Sequence, residues 1–363
     1  MESAIAEHLK CPRTRHRRVE DDYAPPYPVW SARAPAAVTQ VVMGYFGVQS
    51  RGAEMRGRAC AALMKIAAGF ALPEGPGHHD FAHHVDADGY DNMIAIAYWS
   101  DPAAHARWCA IPEIDAWWRS DERLAEGLGY FREIVSPRAE HFETMFNTPD
   151  RLEGVGVVMG GVSGELQEHG YWGSMRDRIP LSQTDAMAPT GTRAVIAGAP
   201  AHGQRVRVAG HENIAMIRSG QEWADTTGQE RKLYLDQMEP VLREGMDFLR
   251  DSGLGIGCYV NRYMRHLDAT GSPLEKSFGL SFWHSLADME RWAESHPTHV
   301  AIFGSFMRYV QALDFQLQLR VYHEVSVLKA DEQSYEYINC HPRSGLMNGL
   351  HTAQEAVLER PGA

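Results

Sequence analysis

Two stretches of the chain share one pattern, MIAIAYWSDPAAHARW at residues 93–108 and FGLSFWHSLADMERW at residues 278–292. Each begins with an apolar run that suits a β-strand and ends on an aromatic residue followed by a tryptophan, Trp99 or Trp283. A short turn and a helical pattern come next, and a second tryptophan follows nine positions after the first in both stretches. The pattern indicates that one strand–helix unit occurs twice in the chain.

Further strand patterns surround both units. Gln40–Gly47 and Val206–Ile217 precede them, and Tyr130–Val135 and Val321–Leu328 follow them. Strands and helices that alternate in this way predict an α+β fold. We expect duplicated ferredoxin-like halves whose antiparallel sheets pack together, with flanking helices, in an arrangement like a dimeric α+β barrel.

The repeat also divides the chain. We expect residues 1–363 to form a single compact domain. Its predicted parts are a first half (38–146), a connecting insertion (147–204), a second half (205–345) and a tail (346–363). Within the second half, residues 229–251 have a helical pattern, bent at Pro240 and closed by Gly253.

Composition excludes several classes of protein. The 363 residues carry a formal net charge of −12, whereas nucleic-acid binding needs a basic face. No apolar run reaches the roughly 18 residues that a membrane span requires. The five cysteines are scattered and form neither a CxxC pair nor a CxxCH sequence, which disfavours a zinc knuckle and covalently attached haem. We therefore expect a cytoplasmic protein that binds neither nucleic acid nor a membrane.

The end of the second unit carries two candidate ligands, His296 and His299, in WAESHPTHVAIF. Residues three apart share one face of a helix, and Pro297 can begin a helical turn. A histidine held rigidly on a helix suits an axial ligand of haem iron. A zinc site would need a third ligand, and HExxH is absent. The residues alone also leave open an ordinary surface or core histidine.

Two further candidates lie on predicted strands. His323 is inside VYHEVSVL, where a histidine that projects into an apolar interior could act as an acid–base near neutral pH, or could be a half-exposed strand residue. Ser219 lies at the end of an apolar strand and could donate a hydrogen bond to a ligand. There is no G-x-S-x-G sequence around it, which disfavours a hydrolase nucleophile.

Other segments carry weaker signals. HGYWGSMRDR (169–178) combines polar and aromatic residues as loops beside a site often do. GHHDFAHH (77–84) has histidines at spacings that occur in metal sites, but we interpret it as a loop rich in glycine, proline and aspartate. GVGVVMGG (154–161) does not match G-x-G-x-x-G, so a nucleotide-binding fold has no support.

Several long segments, taken in order, closely resemble the bacterial haem-containing aldoxime dehydratases, in particular the type that acts on alkyl aldoximes. They cover nearly the whole chain, from near residue 1 to about residue 345, and are ESAIAEHLKCPRTRHRR (2–18), HGYWGSMRDRIPLSQTD (169–185), GHENIAMIRSGQEWAD (210–225), RWAESHPTH (291–299), YHEVSV (322–327) and EYINCHP (336–342). This family converts aldoximes, R–CH=N–OH, to nitriles at non-covalent haem b, active in the ferrous state. The resemblance implies that this protein is a lyase with the same activity and that it forms a homodimer.

The resemblance also implies roles for individual residues. His299 would be the proximal iron ligand and His323 the distal general acid–base. Ser219 would hydrogen-bond the oxime hydroxyl. Arg178 would support the distal site with Glu143 as its partner. The implied substrate pocket includes Ile217 and Phe306, and the segment between His299 and His323 is longer than the resemblance leads us to expect.

Two other functions stay open on the sequence. One is a haem enzyme like a peroxidase or chlorite dismutase, which would need a distal arginine or aspartate to cleave an O–O bond. The other is a haem carrier or gas sensor, for which no output domain or linker is visible. A serine and a histidine on the distal side favour the dehydratase.

Overall fold

The computed structural model of the protein describes residues 1–170, 174–190, 194–197 and 202–349. The strands in these residues are β1 (Ala32–Arg33), β2 (Val42–Ser50), β3 (His78–Val85), β4 (Asp91–Trp99), β5 (Gly129–Val135), β6 (Phe142–Phe146), β7 (Gly161–Val162), β8 (Ala194–Ala197), β9 (Arg205–Ala209), β10 (Ile214–Glu222), β11 (Cys258–Leu267), β12 (Pro273–Trp283), β13 (Arg320–Leu328) and β14 (Gln333–Ile338). The α-helices are α1 (Arg56–Ala68), α2 (Pro102–Cys109), α3 (Pro112–Arg119), α4 (Glu122–Ala125), α5 (Ser174–Arg178), α6 (Gly228–Leu233), α7 (Glu239–Ser252), α8 (Leu286–Ser295) and α9 (Pro297–Ala312).

One large curled sheet organises these elements. Its strand order is β6-β13-β10-β12-β11-β3-β4-β2-β5-β14-β9-β8, and its pairings are antiparallel. Helices flank the sheet, so the predicted α+β class with an antiparallel sheet is confirmed.

The central eight strands of this sheet mirror each other about the β11–β3 pairing. β13, β10, β12 and β11 lie on one side, and β5, β2, β4 and β3 lie in the matching order on the other. The registers match as well. Val42 pairs with Trp99 in the first half, and Ala215 pairs with Trp283 in the second. This symmetry supports the duplicated ferredoxin-like halves, which stay a prediction in that detail.

The two halves exchange strands at their edges. β6 lies in the first half (38–146) but pairs with β13, and β14 lies in the second half (205–345) but pairs with β5. The prediction of one strand over Val206–Ile217 is wrong, because the chain breaks at Gly210-His211 and forms β9 and β10 instead. β9 pairs with β14, far from β10 in the sheet.

Apolar side chains form three large clusters around this sheet. One lies along the inner faces, with Met43 and Met216 among its members. A second, which includes Phe46 and Trp108, packs under the helices of the first half. The third includes Trp292 and packs under the helices of the second half. Each repeated tryptophan thus anchors its own helical layer on the sheet.

The long helix predicted over 229–251 is interrupted. α6 ends at Leu233, a π-helical turn covers Tyr234–Met238, and α7 follows with Pro240 in its first turn, where the missing N–H costs nothing. Gly253 follows α7 in a right-handed conformation, and the left-handed residue is Gly257, with φ of 92°. The segment 77–84, interpreted as a loop, is mostly strand β3.

Among the helices of the described ranges, none is long and apolar enough to cross a membrane. The predicted tail (346–363) is described only as far as residue 349, and the rest of it lies outside the described residues.

Candidate active site

His299 lies in the first turn of α9. His296 precedes this helix as its N-cap and Pro297 is its first residue, so the backbone around His299 is fixed at a helix start. Its ring packs edge-on against Trp292, with centroids 4.5 Å apart, and its Nδ1 lies 2.9 Å from the carbonyl oxygen of Ala293. Donation from Nδ1 to that carbonyl leaves the lone pair of the neutral ring on Nε2.

The environment keeps this ring neutral. Burial lowers the pKa of His299 to about 4, although the bond to Ala293 opposes the shift. The ring is nevertheless only partly buried by its neighbours. A neutral and rigidly held imidazole is the form in which histidine binds a metal ion.

Ser219 and His323 are direct neighbours across β10 and β13, since their Cα atoms are partners in the register. Ser219 is in the middle of β10, not at its end as the sequence suggested. β10 is hydrogen-bonded to a strand on each side. Ser219 is nevertheless exposed, whereas the preceding residue, Arg218, is fully buried on the opposite face. The helix-facing side of the sheet is therefore open in front of Ser219 and His323.

Apolar side chains lie around this opening, and we call the opening together with these side chains the second-half site. Ile217 of β10 and Phe306 of α9 are partly buried and pack against the same cluster under the second-half helices. Ile302, on the same helix as His299, is buried in that cluster. The sequence-predicted residues Ile217, Phe306 and His299 therefore lie around one apolar region that also faces Ser219.

A buried ion pair contacts the ring of His323. Glu143 of β6 lies 2.8 Å from His323 Nε2 through its Oε1, and Arg178 Nη2 lies 2.9 Å from the same nitrogen. Arg178 also donates from Nε to Glu143 Oε2 at 2.8 Å and from Nη2 to Oε1 at 3.1 Å. Both charged side chains are 1% exposed. Burial raises the pKa of Glu143, but Arg178 and His323 outweigh it and lower the value to about 2.

The short helix α5 explains how Arg178 reaches this position. Arg176 forms a forked ion pair with Glu290 of α8. Asp177 accepts the backbone N–H groups of Arg18 and Val19 at 2.8 Å, which fastens the N-terminal arm. Each residue of MRDR beyond the methionine thus has a separate partner. Tyr171 and Trp172, which the sequence singled out in the same segment, lie outside the described residues.

A second histidine approaches the ion pair from the N-terminal side. The ring of His169 packs edge-on against Tyr27, with centroids 4.7 Å apart. Burial and the nearby Arg178 lower the pKa of His169 to about 4, so the ring is neutral near pH 7. Tyr27 carried no signal in the sequence that linked it to this site.

The side chains of the second-half site fit a haem better than a bare metal ion. Within the described part of the chain, no three histidine, cysteine or acidic side chains are grouped so as to hold a metal. His299 offers one nitrogen ligand, and the surrounding walls are mainly apolar. A haem needs one axial side chain and a large apolar pocket, whereas zinc needs three or four protein ligands.

The matching position of the first half is filled. When Trp99 is aligned with Trp283 through the strand registers, Phe46 falls where Ser219 lies and Arg132 where His323 lies. Phe46 is 1% exposed and contacts the rings of Phe70 and Trp108. The open site is therefore a property of the second half.

Comparisons with known proteins agree on one group. A family model described as "Haem-containing dehydratase" matches residues 44–346. The aliphatic aldoxime dehydratases of Rhodococcus globerulus and Pseudomonas chlororaphis are each 56% identical over 347 residues, which is 96% of this chain and 98% of theirs. The phenylacetaldoxime dehydratase of a Bacillus species is 32% identical over 95% of this chain and 98% of its own.

Solved structures give the same result. A crystal structure of an aldoxime dehydratase superposes with a TM-score of 0.93 at 56% identity, covering 96% of this chain and 98% of the other. An aldoxime dehydratase crystallised in complex with butyraldoxime also gives a TM-score of 0.93 at 56% identity, with 96% of each chain covered.

Proposed function

The chain belongs to the family of haem-containing dehydratases, and on this premise we propose that it dehydrates aliphatic aldoximes to nitriles at the second-half site, with His299, His323, Ser219, Arg178 and Glu143 in distinct roles. The structural observation that carries the assignment is the exposed Ser219 beside His323, in a strand whose other residues are buried or partly buried. These two polar groups lie on the side of the sheet that the second-half helices cover, and His299 belongs to α9, one of those helices. Relatives over 50% identical along nearly the whole chain act on aldoximes.

His299 would hold the haem. Its Nδ1 bond to Ala293 orients the ring and fixes the tautomer, so Nε2 would be the iron ligand. Haem held there would supply a ferrous iron as the electron-rich binding site for the oxime nitrogen. Trp292, packed against the ring, prevents the imidazole from turning away.

His323 would move the protons. In R–CH=N–OH → R–C≡N + H2O, the N–O bond breaks and hydroxide is a poor leaving group, so a proton must reach the oxygen. Protonated His323 delivers that proton, and the neutral ring then takes the proton from the oxime carbon, which returns the residue to its starting state. Acid–base catalysis of this kind contributes about 10²–10⁴ in rate.

The Glu143–Arg178 pair would keep His323 ready for both steps. Glu143 remains ionised near neutral pH, because its pKa is lowered to about 2, and its Oε1 can accept an N–H from the protonated ring. Arg178 donates to Glu143 and so holds the carboxylate in place. The two side chains add no net charge beside His323, since one is positive and the other negative.

Ser219 would align the leaving oxygen. Its side chain is on the same side of the sheet as His323, one strand away, so a hydroxyl group of the substrate can contact both. Ile217, two residues earlier on the same face, and Phe306 on α9 would form the wall for the alkyl part of the substrate. Relatives named for aliphatic aldoximes favour an alkyl substrate over an aryl one.

The peroxidase-like alternative would need a distal arginine or aspartate to cleave an O–O bond. Arg178, which the resemblance assigned to support the distal site, lies 2.9 Å from His323. That arginine is buried and donates two hydrogen bonds to Glu143, whose negative charge balances its own. The dehydratase assignment therefore rests on the family and its relatives, and not on the absence of an arginine.

We further propose the organisation of the protein. The chain would form one compact domain made of the first half, the connecting insertion and the second half, because the edge strands β6 and β14 each pair with the other half. We propose a cytoplasmic homodimer, in line with reduced cysteines, since all five are free. Gel filtration of the holoprotein tests the dimer.

The function is tested with haem-loaded protein reduced under anaerobic conditions. Butyraldoxime should be converted to butyronitrile, as followed by gas chromatography, and hydrogen peroxide with a peroxidase dye should give no comparable turnover. Phenylacetaldoxime serves as the aryl comparison and should react more slowly. Haem binding without any nitrile product would favour a carrier or sensor and would contradict the proposal.

A further inference from the structure

A charged layer lies inside the curled sheet, directly behind Ser219 and His323. Arg218 precedes Ser219 and Glu324 follows His323, so both point to the opposite face of the sheet. Arg218 is 0% exposed and Glu324 is 1% exposed. The two are register partners across β10 and β13, as Ser219 and His323 are. Neither charge carried a signal of function in the sequence.

Arg218 contacts the first half across the interior. Its Nη2 donates to Asp80 Oδ2 of β3 at 3.0 Å, and its Nη1 donates to the hydroxyl of Tyr98 on β4. The guanidinium lies over the ring of Phe278, with 4.4 Å to the ring centroid. A planar cation held by a carboxylate, a hydroxyl and an aromatic face has one orientation.

Tyr98 connects Arg218 to Glu324 of the second half. Its hydroxyl donates to Glu324 Oε1 at 2.8 Å, and the other oxygen of Glu324 accepts the N–H of Val155 at 2.7 Å. Arg218 of β10 and Glu324 of β13 are thus joined through one hydroxyl of β4. Burial raises the pKa of Glu324, although Arg218 and the bonds from Val155 and Tyr98 oppose it.

A second cluster of the same kind lies elsewhere in the interior. Arg262 of β11 donates to both oxygens of Glu133 at 2.6 Å, and Tyr337 of β14 donates to Glu133 Oε1 at 2.7 Å. Glu133 occupies the first-half position that matches Glu324. Its strand neighbour Arg132 matches His323 but faces the filled first half. The two clusters are similar in chemistry and burial, and differ in which strands they hold.

We propose that Arg218 is a positioning residue for the distal pair: by binding Asp80 and Tyr98, and Glu324 through Tyr98, it holds β10 and β13 so that Ser219 and His323 present their polar atoms together. The inference rests on the proposed function for its kinetic consequence. Arg218 would fix the backbone register between β10 and β13. A residue displaced by about 1 Å at a catalytic site can cost 10²-fold in rate.

The matched variants Tyr98→Phe and Tyr337→Phe test this inference, since each removes one buried hydroxyl that donates to a glutamate and leaves the ring in place. Both should lower the melting temperature of the haem-loaded protein by similar amounts. Only Tyr98→Phe should lower kcat, by about tenfold, with KM and haem content unchanged. Arg218→Lys keeps the charge but loses the forked donor, so its kcat should lie between those of the wild type and Arg218→Met.

A readout that is independent of turnover separates this inference from the proposed function. Carbon monoxide bound to the ferrous holoprotein has a stretching frequency that responds to the polar groups around it. We expect that frequency to shift or broaden in Tyr98→Phe and to stay at the wild-type value in Tyr337→Phe. Failure of the wild type to dehydrate butyraldoxime would contradict the proposed function and leave this spectroscopic comparison intact.

Two results would overturn the inference. One is an unchanged kcat and carbon monoxide spectrum in Tyr98→Phe. The other is an equal loss of kcat in both variants, in proportion to their loss of stability, because that would make the Arg218 cluster a structural feature like the Arg262 cluster. Should Arg218→Met fail to fold, the two tyrosine variants still decide between these outcomes.

Discussion

The two halves of the molecule place different side chains at matching positions of the sheet. Phe46 of the first half is 1% exposed among aromatic rings, whereas Ser219, at the matching position of the second half, is exposed. Arg132 bonds Glu336 at 2.8 Å and lies over Trp118, whereas its counterpart His323 contacts the Glu143–Arg178 pair. The backbone register around these positions is the same in both halves.

The difference separates what the scaffold does from what the site does. The shared pattern of strands, helices and tryptophans places a helical layer on the sheet in each half. Whether that layer encloses aromatic packing or an open apolar space depends on a few side chains. The proposed function therefore depends on residues in which the second half departs from the first.

The largest expected difference between the halves concerns haem binding. His299→Ala should lose the haem, or hold it without a defined ligand, because the substitution removes the imidazole that would be the axial ligand of the iron. The matched control is His105→Ala in the first half, since His105 packs against Trp99 with ring centroids 4.8 Å apart, much as His299 packs against Trp292. Absorption spectra of both variants after haem loading provide the measurement.

A normal Soret band in His299→Ala would contradict the ligand assignment. Loss of the band in both variants would show that any disturbance of a helical layer releases haem, and the comparison between the halves would then fail.

The next effect is on stability and belongs to the first half. Phe46→Ala should lower the free energy of unfolding by about 3–5 kcal/mol, as large-to-small changes of a buried phenylalanine do. The haem site should keep its activity per folded molecule, because Phe46 packs in the cluster under the first-half helices. Urea unfolding, together with kcat of the haem-loaded variant, measures both. A strong loss of kcat without a loss of stability would mean that the first half contributes directly to the site.

A smaller effect concerns pH and the second half. The pKa of Glu143 is lowered from 4.5 to about 2 in the folded protein, so its ionised form stabilises the fold above pH 4.5, and this contribution is lost as pH falls toward 2. A shift of this size corresponds to about 3 kcal/mol. As the pH is lowered from 4.5 toward 2, the free energy of unfolding of Glu143→Gln should therefore fall less steeply than that of the wild type. Equal slopes in urea unfolding of the wild type and the variant would contradict the buried ion pair.

The sequence predicted the parts of the fold that depend on local pattern. The apolar runs that end on Trp99 and Trp283, and the helices that carry Trp108 and Trp292, lie where the repeat placed them. The single strand over Val206–Ile217 was wrong because two strands that are consecutive in the chain belong to distant parts of the sheet. Long-range pairing of that kind has no local signal.

For the site, the residues alone gave candidates without partners. His299, His323 and Ser219 could be chosen by residue type and local pattern, but the contact of Glu143 and Arg178 with His323 joins segments far apart in the chain and came only from the family resemblance. Arg218 was missed altogether. A lone arginine in a strand pattern looks exposed, and its partners Asp80 and Tyr98 come from the other half.

The most direct test of the account compares His323→Ala with Arg132→Ala, which change matching positions of the two halves. Both proteins are loaded with haem, matched by their Soret absorbance, reduced without oxygen and given butyraldoxime, and the initial rate of butyronitrile formation is measured. We predict that the rate of His323→Ala is lower than that of the wild type by a factor of about 10²–10⁴ although its haem is retained, whereas the rate of Arg132→Ala stays close to that of the wild type. Near-normal turnover in His323→Ala, or an equal loss in both variants, would contradict the assignment of the reaction to the second half.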